Sequence, residues 1–198
     1  LSQAHAVVVD NEKLGAVMRR YTKGFVVNAP FGHSYQRDKD GAYTLGILNY
    51  TEEQQLTNKV LRKFLKTFKA YHIAVFGQAL DWSEKNYTHY EDWDAFCGVV
   101  DILMLPGSDS IIPTMTLPLS AMMAKTAVIA TPHYQTLGSA SGVVIMPSLD
   151  PDLWLGWVKR FEENLARLDG LKGFNAKYAS QLSLQSMQAI EKLKAYLS

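Results

Sequence analysis

The sequence predicts an α/β protein with a doubly wound, mostly parallel, Rossmann-like sheet that carries helices on both faces. Short apolar runs rich in β-branched residues alternate with stretches at helical spacing along most of the chain. Residues 99–105 (VVDILML) have the length and apolarity of a strand that is buried on both faces. Residues 99–131 contain a strand, a loop, a helix and a second strand, the order of a parallel βαβ unit.

Length and composition narrow the class of protein. The chain has 198 residues, of which 47% are hydrophobic, and a formal net charge of +1. It is long enough for one substantial core, and its charge gives no electrostatic argument for binding nucleic acid. We expect no integral membrane segment, because no apolar run has the length needed to span a bilayer. The single Cys97 excludes an internal disulfide framework and favours a reducing, cytoplasmic location.

The first segment, residues 1–40, predicts two short strands around one helix. Apolar runs at 4–9 and 25–27 have the length of strands, and Asp10 or Asn11 can cap a helix between them. The rest of the segment contains proline, glycine and a run of charges, which is typical of a connection between domains. Because the chain enters a strand almost at once, we interpret it as part of a longer protein.

The core, residues 41–168, contains the alternating elements. We predict strands at residues 42–48, 72–76, 87–89, 99–105, 127–130 and 143–146. Helices lie between them, and the pair Asp150-Pro151 marks the start of the last one. A helical tail at residues 169–198, with two helices near 171–182 and 184–197, completes a single domain over residues 1–198.

The loop that follows the strand at 99–105 is the best candidate for a binding site. In open parallel sheets ligands bind beyond the carboxyl ends of the strands. This loop precedes a helix and offers hydroxyl groups and backbone N–H groups, a combination that suits a phosphate or diphosphate. An alternative is that the same residues only cap the helix, with Thr114 or Thr116 as the capping residue. The residues concerned are Gly107, Ser108, Asp109, Ser110, Thr114 and Thr116.

Other familiar sites lack their signatures. The sequence contains neither GxGxxG nor a Walker-type GxxxxGK run, which disfavours the commonest dinucleotide and P-loop sites. The five histidines show no metal-ligand spacing, so we expect no metal site. His133, which follows a predicted strand, is the histidine best placed to face a ligand.

The order of these motifs resembles the C-terminal, donor-binding half of the GT-B glycosyltransferases, in particular the retaining "group 1" family. The segments AHAVVVDNEKLGAVMRRY and FVVNAPFGHS are similar to the end of that family's first domain and to its interdomain connection. The segments AYTLGILNY and HIAVFG resemble the first two donor-domain strands, and VDILMLPGS resembles the strand that ends in Pro-Ser. SAMMAKTAVIAT, SGVVIMP and DPDLWLGWVKRF match the later helices and strands, so the resemblance covers nearly the whole chain.

The resemblance implies a substrate and a site. It implies a nucleotide-diphosphate sugar as the donor substrate, with no cofactor and no obligatory metal. It also implies a missing N-terminal domain of the same protein that holds a glycan or other acceptor, with sugar transfer in the cleft between the two domains. The residues that would line the nucleotide-sugar site are Gly46, Asn49, Tyr50, Gly107, Ser108, Asp109, Ser110, Thr114, Thr116 and His133.

The sequence departs from the family at its charged positions. The family carries two glutamates with seven residues between them, and these positions are Ile112 and Ser120 here. The family's basic pair after the first donor-domain strand has no counterpart in GILNYTEEQQ, and Asp109 is a substitute for the earlier carboxylate only if its loop is reshaped. These departures favour an alternative, a non-catalytic glycosyltransferase-like scaffold or glycan-binding module. A third hypothesis is another enzyme of the same architecture, such as a nucleotide-sugar epimerase.

Overall fold

The chain begins with a small parallel βαβ unit. The computed structural model describes residues 5–10, 12–29, 44–49, 58–77, 87–106, 115–139 and 142–197. Strands β1 (Ala6–Val9) and β2 (Phe25–Asn28) pair in parallel, and α1 (Glu12–Met18) connects them. These two strands form a sheet of their own, separate from the main sheet. The three elements predicted for the first segment are therefore confirmed.

In the described part of the chain, the main sheet has six strands, all paired in parallel. They are β3 (Thr44–Asn49), β4 (His72–Gly77), β5 (Tyr87–Tyr90), β6 (Ile102–Leu105), β7 (Ala127–Ala130) and β8 (Val143–Ile145). Their order across the sheet is β5-β4-β3-β6-β7-β8. The strand predicted at 99–105 starts later than expected, because Val99 is the last residue of α3 (Trp93–Val99).

Helices cover both faces of this sheet, which confirms the predicted fold class. Ile102 and Met104 of β6 pack on one face with α2 (Asn58–Thr67) and α5 (Pro151–Glu163). Leu103 and Leu105 point to the opposite face, where they pack with α3 and α4 (Thr116–Met123). The alternation follows from the two-residue period of a strand, and it explains why β6 is apolar throughout.

The predicted tail of two helices is wrong, because residues 165–197 form a single helix. Helix α6 (Leu165–Leu197) has 33 residues and begins before the predicted boundary at 169. The expected break fell near Ser183, but this serine is buried and its Oγ lies 3.7 Å from Sδ of Met123 on α4. Packing against α4 thus outweighs the modest helix propensity of serine.

Helix α6 crosses from one face of the sheet to the other beneath the amino ends of the strands. Leu168 packs in the core on the α5 side, whereas Ala179 packs on the α4 side. Between them, Lys172 Nζ lies 2.9 Å from Oδ1 of Asp101, the residue before β6. Asn175 Nδ2 donates to the carbonyl of Thr126, the residue before β7, at 2.8 Å. These polar contacts hold α6 to the amino edge, opposite the edge at which ligands are expected.

The far end of α6 returns to the βαβ unit. Ser183 of α6 lies beside Met123, the last residue of α4. From Ser183 to Tyr196, α6 continues for 13 residues, which span about 20 Å and therefore exceed the length of α4. The ring of Tyr196 then meets Phe25 of β2 edge-to-face, with centroids 5.2 Å apart. Because α4 starts at the carboxyl edge of the sheet, the βαβ unit lies at that same edge.

Candidate functional site

We expect the ligand-binding crevice beyond the carboxyl ends of β3 and β6. The order of strands reverses at this point, since β4 lies on one side of β3 and the later strand β6 lies on the other. Such a topological switch point is where open parallel sheets bind ligands. The predicted site residues that follow the two strands in sequence lie outside the described residues; they are Tyr50, Gly107, Ser108, Asp109, Ser110 and Thr114.

The start of α4 is the part of this crevice that the structure describes. Thr116 is the first residue of the helix, and Met115 before it has no side-chain cap hydrogen bond of its own. Instead, Oδ2 of Asp10 accepts from the backbone N–H of Met115 at 3.0 Å and from the Thr116 hydroxyl at 3.4 Å. The prediction that Thr116 caps α4 is therefore wrong, because Thr116 is the first residue of the helix and Met115 is at the N-cap position; the carboxylate of Asp10, which follows β1, accepts from the Met115 N–H.

Asp10 is the site residue that sequence reasoning missed. The sequence predicts Asp10 or Asn11 as the cap of α1, whereas the contact of Asp10 with the start of α4 joins residues 105 positions apart. The only local feature that could have indicated Asp10 is its position directly after the apolar strand β1, which places its carboxylate at the carboxyl end of that strand. The half-buried side chain connects the βαβ unit to the start of α4.

Two predicted site residues belong to β3. Asn49 is its last residue, so its backbone lies at the carboxyl edge beside the crevice. Gly46 lies in the middle of the strand and is buried. A Cβ atom at Gly46 would be 2.6 Å from Cγ1 of Val100 and 2.9 Å from Cζ of Phe96, so glycine is needed there for packing. Contact of either residue with a donor stays a prediction.

His133 lies at the same edge, on the far side of β6. It belongs to a 3₁₀ segment over Pro132–Ser139 that follows β7 and is kinked at Tyr134. Its side chain is half-buried and its Nε2 atom is shielded from solvent. The preceding Thr131 uses its backbone N–H to bind the carbonyl of Leu105 at 3.2 Å, which ties this segment to the end of β6. A ligand contact by His133 remains a prediction.

Ser120 is the residue that the predicted resemblance aligns with the later glutamate of the group 1 family. This serine is 2% exposed, and its hydroxyl donates to the carbonyl of Thr116 at 2.9 Å. The side chain therefore bonds to the backbone of its own helix one turn earlier. Ile112, at the position of the earlier glutamate, lies outside the described residues.

Aromatic side chains cluster at the other end of the carboxyl edge. Trp93, at the start of α3, stacks on Phe96 with centroids 5.2 Å apart and meets Phe76 of β4 edge-to-face at 4.9 Å. Tyr90, the last residue of β5, contacts Phe96 as well. Gly77 ends β4 with φ 105°, a conformation that favours glycine, and its carbonyl contacts Nε2 of His89. These contacts connect β4, β5 and α3 at this end of the edge.

The described residues contain no group of three or more His, Cys, Asp or Glu side chains that could hold a metal ion. Nor does any helix among them combine the length and apolarity needed to cross a membrane. The pKa of Tyr71 is displaced upward: burial, followed by a hydrogen bond to Glu162 and the charge of that residue, raises it to about 12. The Tyr71 hydroxyl donates to Glu162 Oε2 at 2.9 Å, on the α5 side of the sheet.

Comparison with known proteins identifies the architecture. Neither a protein-family model nor a curated protein sequence matches the chain. Among solved structures, the GtfA/B complex matches 96% of this chain and 45% of its own, with a TM-score of 0.62 and 9% identity. TarM matches 98% of this chain and 43% of its own, with a TM-score of 0.57 and 11% identity. CalG4, the calicheamicin glycosyltransferase, matches 98% of this chain and 52% of its own, with a TM-score of 0.53 and 16% identity.

The chain thus spans about half the length of the solved structures it matches. At these identities the likeness concerns the fold alone. The predicted resemblance is confirmed at that level: the chain has a GT-B glycosyltransferase-like fold, with the parallel sheet and terminal helix of one half of that architecture.

Proposed function

We propose that the chain is the nucleotide-sugar-binding domain of a glycosyltransferase that moves a sugar from a nucleotide-diphosphate sugar to a glycan or other acceptor. The observation that carries the proposal is the fold, because the chain aligns over nearly its whole length with about half of each glycosyltransferase-like structure. A fold by itself hosts many functions, so the site must supply the rest of the argument.

The start of α4 supports a phosphate-binding role. The Met115 N–H and the Thr116 hydroxyl both donate to one carboxylate oxygen, so the two groups converge on a single anionic atom. A phosphate oxygen needs the same kind of donors, and the positive end of the helix dipole favours negative charge there. In sugar transfer the diphosphate is the leaving group, and such donors stabilise the charge that develops on it.

The βαβ unit supports a second domain for the acceptor. A two-stranded sheet is marginal alone, and parallel sheets are normally covered on both faces. Here Val8 of β1 is 47% exposed and Phe25 of β2 is 54% exposed, so the apolar faces of this small sheet are incompletely covered. Further strands from an N-terminal acceptor-binding domain would complete the sheet and form the other wall of the crevice. A cytoplasmic location, favoured by the single Cys97, belongs to this proposal.

Calorimetric titration of the chain tests the proposal. We expect uridine, guanosine or adenosine diphosphate to bind more tightly than the matching monophosphate, because the diphosphate provides the oxygen that meets α4. Thr116→Val should weaken binding about fivefold through loss of one hydrogen bond of about 1 kcal/mol. Thr88→Val, which removes an exposed hydroxyl on β5, is the matched control. No heat with any nucleotide at millimolar concentration would refute the proposal.

A non-catalytic module is the second candidate function. It is favoured by Ser120, whose hydroxyl is bonded within its own helix at the position where the family places a carboxylate. A glycosyltransferase-like domain without that charge could retain its fold and bind a glycan alone. Binding of oligosaccharides in the absence of any nucleotide binding would support this candidate. Donor hydrolysis by the full-length protein, reduced by Thr116→Val in line with its weaker nucleotide binding, would exclude it.

A further inference from the structure

The solvent side of α2 carries a row of positive charges. Residues 58–70 contain five basic residues and no acidic one, although the whole chain has a formal net charge of only +1. Phe64 and Phe68 are buried in the core beneath the helix, so its opposite side faces solvent. Cations one helical turn apart, such as Lys63 and Lys66, repel each other, so this row does not serve the stability of α2. The exposed cations on and just beyond the helix are Arg62, Lys63, Lys66 and Lys69.

Helix α5 lies beside α2 and forms one layer with it. Lys63 Nζ is 3.7 Å from Oδ1 of Asp150, at the start of α5. Tyr71, just beyond the end of α2, donates to Glu162 near the end of α5. The two helices therefore run side by side in the same direction, on one face of the main sheet.

Helix α5 extends the positive charge across this layer. It adds Lys159 and Arg160, both exposed, so the described residues of the layer present six exposed cations. They also present three exposed carboxylates, those of Asp150, Asp152 and Glu163. All three carboxylates belong to α5 or its cap, so the positive charge is concentrated on α2.

We propose that the layer formed by α2 and α5 docks on an anionic lipid surface, an inference that does not depend on the proposed function. Charge complementarity favours this occupant, because four or more Lys and Arg side chains on an amphipathic helix are typical of binding to anionic headgroups. Two helices packed side by side on a sheet present a broad outer surface, which suits the plane of a bilayer. Single-stranded nucleic acid is bound instead in grooves with aromatic side chains on which bases stack.

The carboxyl edge of the sheet stays accessible in this orientation. Helices α2 and α5 cover a face of the sheet, whereas Asn49 and the start of α4 lie at its carboxyl edge. A bilayer against this layer therefore lies beside the expected crevice and does not cover it.

Cosedimentation of the chain with lipid vesicles tests the proposal. We expect binding to phosphatidylcholine vesicles that contain about one third phosphatidylglycerol, and release at about 0.5 M salt, because salt screens exposed charges. Each cation near an anionic surface strengthens binding about fivefold, so Lys63→Gln/Lys66→Gln/Lys69→Gln should lower the vesicle partition coefficient about a hundredfold. The single reversal Lys66→Glu changes the charge by two and should lower it about twentyfold.

A matched control removes the same charge from the other side of the sheet. Lys177→Gln/Lys192→Gln/Lys194→Gln replaces three exposed lysines of α6, which packs against α4 there. The partition coefficient should change by less than about threefold, because these distant charges are screened. A loss in this control as large as in the α2 variant would overturn the proposal, because net charge alone would then explain the binding.

The choice of vesicle and of competitor decides between occupants. Equal binding to pure phosphatidylcholine vesicles, or no binding to either kind of vesicle, would overturn the proposal. Binding of heparin without binding of anionic vesicles would overturn it as well, in favour of a chain-like polyanion on the same face. Binding that needs the anionic lipid and the lysines of α2, and that salt reverses, would establish it.

Discussion

Replacing Gly46 by alanine distinguishes a packing role from a ligand-binding role for this predicted site residue. The new Cβ would lie 2.6 and 2.8 Å from the two γ-carbons of Val100 and 2.9 Å from Cζ of Phe96. Contacts this short require the neighbours to move. Both neighbours are fully buried and belong to a tightly packed cluster, so they have little room to do so.

The expected loss of stability follows from two opposing effects. Overpacking of a filled core costs about 1–3 kcal/mol. Alanine recovers about 0.4–1 kcal/mol, because it restricts the unfolded chain more than glycine does. A net loss of about 1–2 kcal/mol should lower the Tm by about 2–8 °C in a chain of this size. Urea and thermal unfolding, followed by circular dichroism, measure both quantities.

A double variant isolates the cause. Val100→Ala removes the two methyl groups that the new Cβ would meet, at the cost of a cavity. If packing is the reason for glycine, Gly46→Ala should destabilise the Val100→Ala protein by about 1 kcal/mol less than it destabilises the unmodified one. Simple additivity, or a Gly46→Ala protein of unchanged stability that no longer binds nucleotide, would refute the packing argument.

Three further predictions concern the helices. The side chains of Lys172 and Asp101 are only 13% and 11% exposed, so Lys172→Met leaves the Asp101 carboxylate buried without its cation. We expect the free energy of unfolding, measured in urea, to fall by about 3 kcal/mol. Ser183→Pro should cost about 3 kcal/mol or more and reduce the helical circular dichroism signal, because α6 is continuous there. Tyr71 has a pKa of about 12 in the folded chain and an ordinary value of 10.0, so the unfolded chain loses this proton first. Stability should therefore fall between pH 10 and about 12, and Tyr71→Phe should reduce that fall.

Each of these has an outcome that contradicts it. Unchanged stability of Lys172→Met would show that the contact with Asp101 contributes nothing net. A Ser183→Pro protein with full helical signal would restore the two-helix interpretation of the tail. A Tyr71→Phe protein with the same loss of stability above pH 10 would assign that loss to other groups.

The parts of the fold that the sequence predicted are those fixed by local patterns. The strand at 127–130 has the predicted bounds, because four apolar residues between the polar pair 125–126 and the pair Thr131-Pro132 leave few alternatives. Helix α5 starts where Asp150-Pro151 indicated, and the Asp150 side chain accepts from the N–H of Asp152 at 3.3 Å. Each of these elements is specified by residues within one turn or one strand of each other.

The parts that were missed depend on residues far apart in sequence. The ion pair between Asp101 and Lys172 joins residues 71 positions apart, and nothing within either segment indicates the other. The continuity of α6 past Ser183 has the same origin, since the stretch around it has modest propensity and is held helical by packing on α4. Tertiary contacts of this kind carry no short-range signal in a single sequence.

The candidate site shows why its chemistry could be only half predicted. The hydroxyl and amide groups before α4 were open to two interpretations, phosphate binding and helix capping, because both uses need the same donors. In the structure a third partner, the Asp10 carboxylate, occupies the donors of Met115 and Thr116. Phosphate binding at the start of α4 therefore stays a prediction, whereas the contact with Asp10 is a tertiary one that joins residues 105 positions apart. Because nothing within residues 107–116 indicates that distant partner, the local pattern could define which donors are present but not which group they bind.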